Sequence, residues 1–121
     1  MPDLSFINLY VNDPAASAAF YAERFGFEPV QSSPTYVFFA TKSGLMLGLW
    51  SRDKVEPATP ANASGGGEIC FTVDDVEAVH ADWSSRGVSI AQSPTTMGFG
   101  RTFVALDPDG HRLRVFTPAA P

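Results

Sequence analysis

The chain has 121 residues, with 13 acidic side chains against 8 Lys and Arg and a formal net charge of −5. Such a length sets one domain as the expectation and is enough to bury a real core, and 45% hydrophobic with 17% charged residues disfavours disorder outside loops. No Lys/Arg cluster is visible, which argues against nucleic acid or an anionic membrane as the main partner; no long apolar run or basic leader is seen, and the one cysteine, Cys70, excludes an internal disulfide and fits a reducing cytoplasm.

In chain order, LSFINLYV at residues 4–11 alternates and is rich in β-formers, which predicts a strand. NDPAASAAFYAERFG follows. Asp13 suits an N-cap, Pro14 the first helical turn and Gly26 the C-terminal cap, with alanines favouring helix between them. Three strand signals come next: FEPVQS from Phe27, TYVFFAT from Thr35 and LMLGLWS from Leu45, the last two joined by a turn at Lys42–Gly44. Residues 52–66, with Pro57, Pro60 and the start of a glycine run, are expected to be a flexible connector.

The plan then restarts. EICFTV from Glu68 reads as a strand, and DDVEAVHADWSSRG as a helix capped by Asp74 or Asp75 and stopped at Gly87. VSIAQ, TFVALD and RLRVF read as strands, the last two joined by the turn Asp107-Pro108-Asp109-Gly110. TTMGFG at residues 95–100 is expected to be a loop carrying Met97 and Phe99. A shift of 62 residues lays Asp13 on Asp75, Tyr21 on Trp83 and Arg24 on Arg86. The order β-α-β-β-β therefore occurs twice, at about 1–51 and 67–118, as an internal duplication within one α+β domain.

Helix packing would bury one face of each sheet, and the other would line a trough. Alternation assigns Ile7, Leu9, Val11, Ile69, Phe71, Val73, Leu113 and Val115 to the buried set, with Phe20, Tyr21, Val79 and Trp83 from the helices. Phe6, Asn8, Tyr10, Met46, Gly48, Trp50, Glu68, Cys70, Thr72, Arg112, Arg114 and Phe116 fall to the trough. Cys70 is expected as a small buried hydrophobe, because no basic residue flanks it in sequence. His80 is expected on a partly exposed helix face and His111 at a solvated strand start.

The segments LYVNDPAASAAFYAERFGFEPV, GLMLGLWS, GGGEICFTVDDVEAV and GRTFVALDPDGHRLRVF together resemble the glyoxalase/bleomycin-resistance family, also called the vicinal oxygen chelate superfamily, and more narrowly its phenazine-resistance-like members. The resemblance covers nearly the whole chain. It implies paired βαβββ modules forming a curved-sheet cleft, usually completed in a homodimer. Enzymes of the family hold a divalent metal with cleft residues from the first, fourth, fifth and last strands. Carried over residue by residue, those places fall on Phe6, on Met46 or Gly48, on Glu68 and on Arg114.

Of these only Glu68 can ligate a metal, and Arg114 carries a permanent positive charge. One carboxylate beside a guanidinium does not hold Zn²⁺, Ni²⁺ or Fe²⁺. No metal and no cofactor are therefore expected, and Glu68 is expected to pair with Arg114. The resulting reading is a metal-free cytoplasmic homodimer that sequesters a small planar aromatic molecule, with Phe6, Tyr10, Met46, Trp50, Glu68, Phe99, Arg114 and Phe116 as ligand-binding residues and no catalytic residue. The alternatives are a metal-dependent lyase, isomerase or dioxygenase of the same family, and a subunit whose trough serves only dimerisation.

Overall fold

The computed structural model describes residues 3–58 and 67–120. The chain forms two compact units, Met1–Ala63 and Ser64–Pro121. The first contains β1 (Phe6–Val11), α1 (Pro14–Phe25), β2 (Pro29–Ser32), β3 (Tyr36–Ala40) and β4 (Met46–Ser51). The second contains β5 (Glu68–Thr72), α2 (Val76–Ser85), β6 (Ser89–Met97), β7 (Gly100–Leu106) and β8 (Arg112–Pro118). Each is a βαβββ module whose first strand runs parallel to its last: the sheet orders are β1-β4-β3-β2 and β5-β8-β7-β6.

The helix boundaries follow from side-chain chemistry. Asp13 caps α1 by accepting from the N–H groups of Ala15 and Ala16, and Pro14 opens the helix where its missing N–H costs nothing. Gly26 ends it at φ +69°, donating its N–H to Ala22. Of the two candidate caps for α2, Asp75 is the one used; its carboxylate accepts from Ala78 N–H. Tyr21 and Trp83, matched by the 62-residue shift, are both buried against their own sheets. Around them lie Val11, Val37, Phe39 and Leu49 in the first unit and Phe103, Leu113 and Val115 in the second.

Several expectations need correction. Ile7, Leu9, Ile69 and Phe71 are only half-buried, because β1 and β5 are edge strands with a neighbour on one side alone. Val73, Phe20 and Val79 are half-buried as well. The connector is not irregular throughout: Arg52–Lys54 forms a short 3-10 helix and Val55 is buried; its residues 59–66 lie outside the described residues. The expected loop at 95–100 is a hairpin. β6 continues to Met97, and only Gly98 and Phe99 turn before β7. β6 accommodates Pro94 because it is an edge strand whose register shifts between Gln92 and Thr95. No helix among the described residues is long and apolar enough to cross a membrane.

Candidate functional site

In the first unit the pleat sends Phe6, Asn8 and Tyr10 of β1, Tyr36 and Phe38 of β3, and Met46, Gly48 and Trp50 of β4 to the face opposite the core. Register fixes their neighbours: Asn8 lies across from Gly48, and Tyr10 and Tyr36 lie on either side of Trp50. Three of the four ring contacts are edge to face, and the Tyr36–Phe38 contact is tilted. Phe6 contacts Phe38 at 5.5 Å, Tyr10 and Tyr36 contact Trp50 at 6.4 and 6.0 Å, and Tyr36 contacts Phe38 at 6.0 Å between centroids. Each ring keeps part of its surface open to solvent.

Between these rings lies a polar pair. Tyr36 Oη donates to Asn8 Oδ1 at 2.7 Å. The pair occupies the space over Gly48, where an added Cβ would overlap both atoms. Burial pushes the Tyr36 phenol pKa above its ordinary value, so the group stays protonated and remains a donor.

In the second unit the face away from the core carries Glu68, Cys70 and Thr72 of β5 and Arg112, Arg114 and Phe116 of β8. Arg114 Nε donates to Glu68 Oε1 at 2.6 Å, with side chains 16% and 29% exposed, so the expected ion pair forms in half-buried surroundings. Arg114 Nη1 also donates to Thr102 Oγ1 at 3.2 Å. The Thr102 hydroxyl in turn donates to the Val115 carbonyl. The guanidinium lies 5.7 Å from the Phe99 ring centre, and Phe99 meets Phe116 edge-on at 6.0 Å. These contacts fix the guanidinium plane against an aromatic face.

The eight residues singled out from sequence thus divide evenly. Phe6, Tyr10, Met46 and Trp50 share one face in the first unit; Glu68, Phe99, Arg114 and Phe116 gather in the second. Missing from that set are Tyr36, Phe38 and Thr102, together with the Asn8–Tyr36 bond. Tyr36 and Phe38 were legible: alternation within TYVFFAT and a turn at 42–44 place them beside Trp50 and Gly48. Cys70 is exposed rather than buried, and its cross-strand partner is Arg114, a neighbour invisible to local sequence. Burial, then the Glu68 charge, raise its thiol pKa against the lowering influence of Arg114. His111 is not solvated either: its Nδ1 is 2.9 Å from Asp107 Oδ2.

Of the first-, fourth-, fifth- and last-strand places, Glu68 alone carries a carboxylate, and it is paired with Arg114. Since Phe6 corresponds to Glu68 under the 62-residue shift, the matched β1–β4 and β5–β8 registers make Gly48 the counterpart of Arg114. Phe6, Gly48 and Arg114 bring no metal-donor side chain, and the Asn8–Tyr36 pair covers Gly48. A different donor group was overlooked in the sequence. Asp107, Asp109 and His111 bring ligand atoms within 4.8 Å of one another on the β7–β8 turn. Two carboxylates and an imidazole suit a borderline divalent cation such as Zn²⁺. This cluster favours a metal-dependent reading over a strictly metal-free one. Asp107 Oδ1 already accepts from the N–H groups of Asp109 and His111, so a cation would compete with His111 for Oδ2.

The two βαβββ modules and their strand order are those of the glyoxalase/bleomycin-resistance fold, and the sequence places the chain within it. The profile of the Glyoxalase/Bleomycin resistance protein/Dioxygenase superfamily matches residues 3–115, and the chain belongs to that family. It is 33% identical over 117 residues to the phenazine antibiotic resistance protein EhpR of Enterobacter agglomerans, covering 94% of this chain and 89% of that one. An Agrobacterium tumefaciens protein solved by NMR in solution is 46% identical, with a TM-score of 0.89 over 99% of this chain and 100% of its own. A glyoxalase-related enzyme from Fulvimarina pelagi, 22% identical over 97% of this chain and 88% of its own, has the same fold with a TM-score of 0.83.

Proposed function

We propose that the protein binds small planar aromatic molecules, as a homodimer. The observation that carries this reading is the run of five part-exposed rings, Phe6, Tyr10, Tyr36, Phe38 and Trp50, on one face of the first sheet. Aromatic faces and edges favour flat π-systems, each ring pair adding about 0.5–1.5 kcal/mol beyond area burial. Arg114, held by Glu68 and Thr102 and backed by Phe99, is a fixed donor for an anionic or acceptor group on such a ligand. Similarity to a phenazine antibiotic resistance protein supports the same ligand class. Phe6, Tyr10, Met46 and Trp50 of the first unit, and Glu68, Phe99, Arg114 and Phe116 of the second, are each proposed as ligand-binding residues.

The second reading is a metal-dependent lyase, isomerase or dioxygenase, and the Asp107–Asp109–His111 cluster is the observation in its favour. On the metal question that cluster gives this reading the stronger position, and the binding proposal does not require a metal-free protein.

One experiment addresses both. Protein purified without a His-tag is assayed for metals, then titrated with a phenazine panel by tryptophan fluorescence, with and without chelator. Quenching that survives chelation supports ligand binding independent of metal. A bound stoichiometric metal, lost in His111→Ala together with turnover of a family substrate, establishes the second reading. Absence of quenching by every phenazine overturns the first.

A further inference from the structure

We propose that Asn8 and Tyr36 form a polar reading point within the aromatic face of the first sheet, selecting flat aromatic ligands that carry a hydrogen-bond acceptor, a ring nitrogen or carbonyl oxygen, at the ring edge. This deepens the aromatic-ligand reading above and rests on it.

An asparagine amide has a carbonyl that accepts and an NH₂ that donates twice. The Tyr36 phenol donates to Asn8 Oδ1 at 2.7 Å, which leaves the Asn8 Nδ2 group with no partner among the described residues. Burial keeps Tyr36 protonated, so its proton remains committed to the Asn8 carbonyl. The amide cannot turn its carbonyl to a ligand without giving up that bond. What remains on offer is a pair of N–H donors.

Placement gives those donors meaning. Asn8 is exposed, lies across from Gly48, and shares its face with Phe6, Phe38, Tyr10 and Trp50. A flat ring resting on those aromatics covers Asn8. A pure hydrocarbon would bury the N–H groups unpaired, whereas an acceptor at the ring edge satisfies one of them. Gly48 makes the arrangement possible. A Cβ there would overlap Asn8 Oδ1 and Tyr36 Oη, the far ends of two side chains and not backbone. Alanine at this position therefore displaces the polar pair and leaves the strand in place.

The test uses phenazine-2-carboxylate and anthracene-2-carboxylate, acids of one shape that differ in two ring nitrogens. Binding is measured by calorimetry to the wild type, Asn8→Ala and Gly48→Ala, each checked for folding by circular dichroism. The wild type is expected to prefer the phenazine acid by about fivefold, the worth of one neutral hydrogen bond. Both variants should lose that preference through weaker phenazine binding, with anthracene binding unchanged or tighter. A preference that survives in both variants overturns the inference. Equal binding of the two acids to the wild type also overturns it, yet leaves the aromatic-ligand reading standing. Failure of both acids to bind the wild type sinks that reading and this one together.

Discussion

Replacing Arg114 by methionine keeps most of the stem volume and removes the guanidinium. Glu68 then loses its 2.6 Å partner, and Thr102 Oγ1 loses the donor at 3.2 Å. Exposed ion pairs are worth about 0.2–1 kcal/mol, and breaking a fully buried one costs about 3–5 kcal/mol. With side chains 16% and 29% exposed, this pair stands between those limits, and solvent screening holds the cost of either single variant to about 1–2 kcal/mol. Unfolding entropy of about 2.1 cal/mol/K per residue gives about 0.25 kcal/mol/K for 121 residues, so Tm should fall by about 4–8 °C.

The assay is calorimetric unfolding of Arg114→Met, Glu68→Gln and the double variant, paired with titration of phenazine-2-carboxylate. A shared interaction makes the double variant less destabilised than the sum of the singles, by about 1 kcal/mol. The ligand arm separates a structural bridge from a binding group. If Arg114 anchors the ligand carboxylate, Arg114→Met weakens binding at least tenfold, as expected for a charge-assisted bond worth about 1.5–3 kcal/mol. Glu68→Gln should weaken binding less than Arg114→Met does, because it loosens the guanidinium without removing it. Additive singles refute the energetic coupling. Unchanged affinity in Arg114→Met, with stability still lost, refutes the anchoring role and leaves a structural bridge.

Three further outcomes follow from the same geometry. Gly26→Ala should destabilise the protein by about 1 kcal/mol in thermal melts, since the α1 cap sits at φ +69° where a Cβ is strained. Asp107→Ala should cost about 2–4 kcal/mol in chelator-treated protein, because its buried carboxylate accepts from Asp109 N–H and His111 N–H and pairs with His111 Nδ1; denaturant unfolding measures this. Cys70, with its pKa raised first by burial and then by Glu68, holds less thiolate at pH 8 than a free cysteine. Iodoacetamide should therefore alkylate it more slowly than a cysteine peptide at pH 8, with the rate rising in Glu68→Gln; a wild-type rate equal to the peptide's contradicts the shift.

Local chemistry made much of the fold legible. Asp13, Pro14, Gly26 and Asp75 mark helix ends through bonds that reach at most three or four residues, so the sequence window contains both partners. Alternation likewise sorted the β1, β4, β5 and β8 side chains between the two faces. It could not rank burial, because half-exposure of Ile7 and Ile69 depends on β1 and β5 being sheet edges. The TTMGFG hairpin was missed because its glycines suggested a loop, while the strand pairing of Thr95 and Thr96 is set by β7. The site was legible where strand offsets sufficed, as for Glu68 and Arg114. It was not legible where a side chain fills another residue's absence. Alternation places Tyr36 near Gly48, but nothing in the sequence announces that its hydroxyl bonds Asn8 over that glycine.

The duplicated register makes Gly48 and Arg114 counterparts, one near the middle of each sheet's exposed face. In one unit the place is covered by a phenol–amide pair whose remaining groups include two N–H donors. In the other it holds a guanidinium, which has donors alone. A chelating site needs lone pairs converging on a cation. Each place offers N–H groups beside aromatic rings of its own unit, which is the chemistry that the proposed aromatic-ligand reading calls for. Among the described residues, the group that could hold a metal lies elsewhere, at Asp107, Asp109 and His111 on the β7–β8 turn. The two proposed readings, metal binding and aromatic binding, thus draw on different residues, so loss of one is not expected to abolish the other.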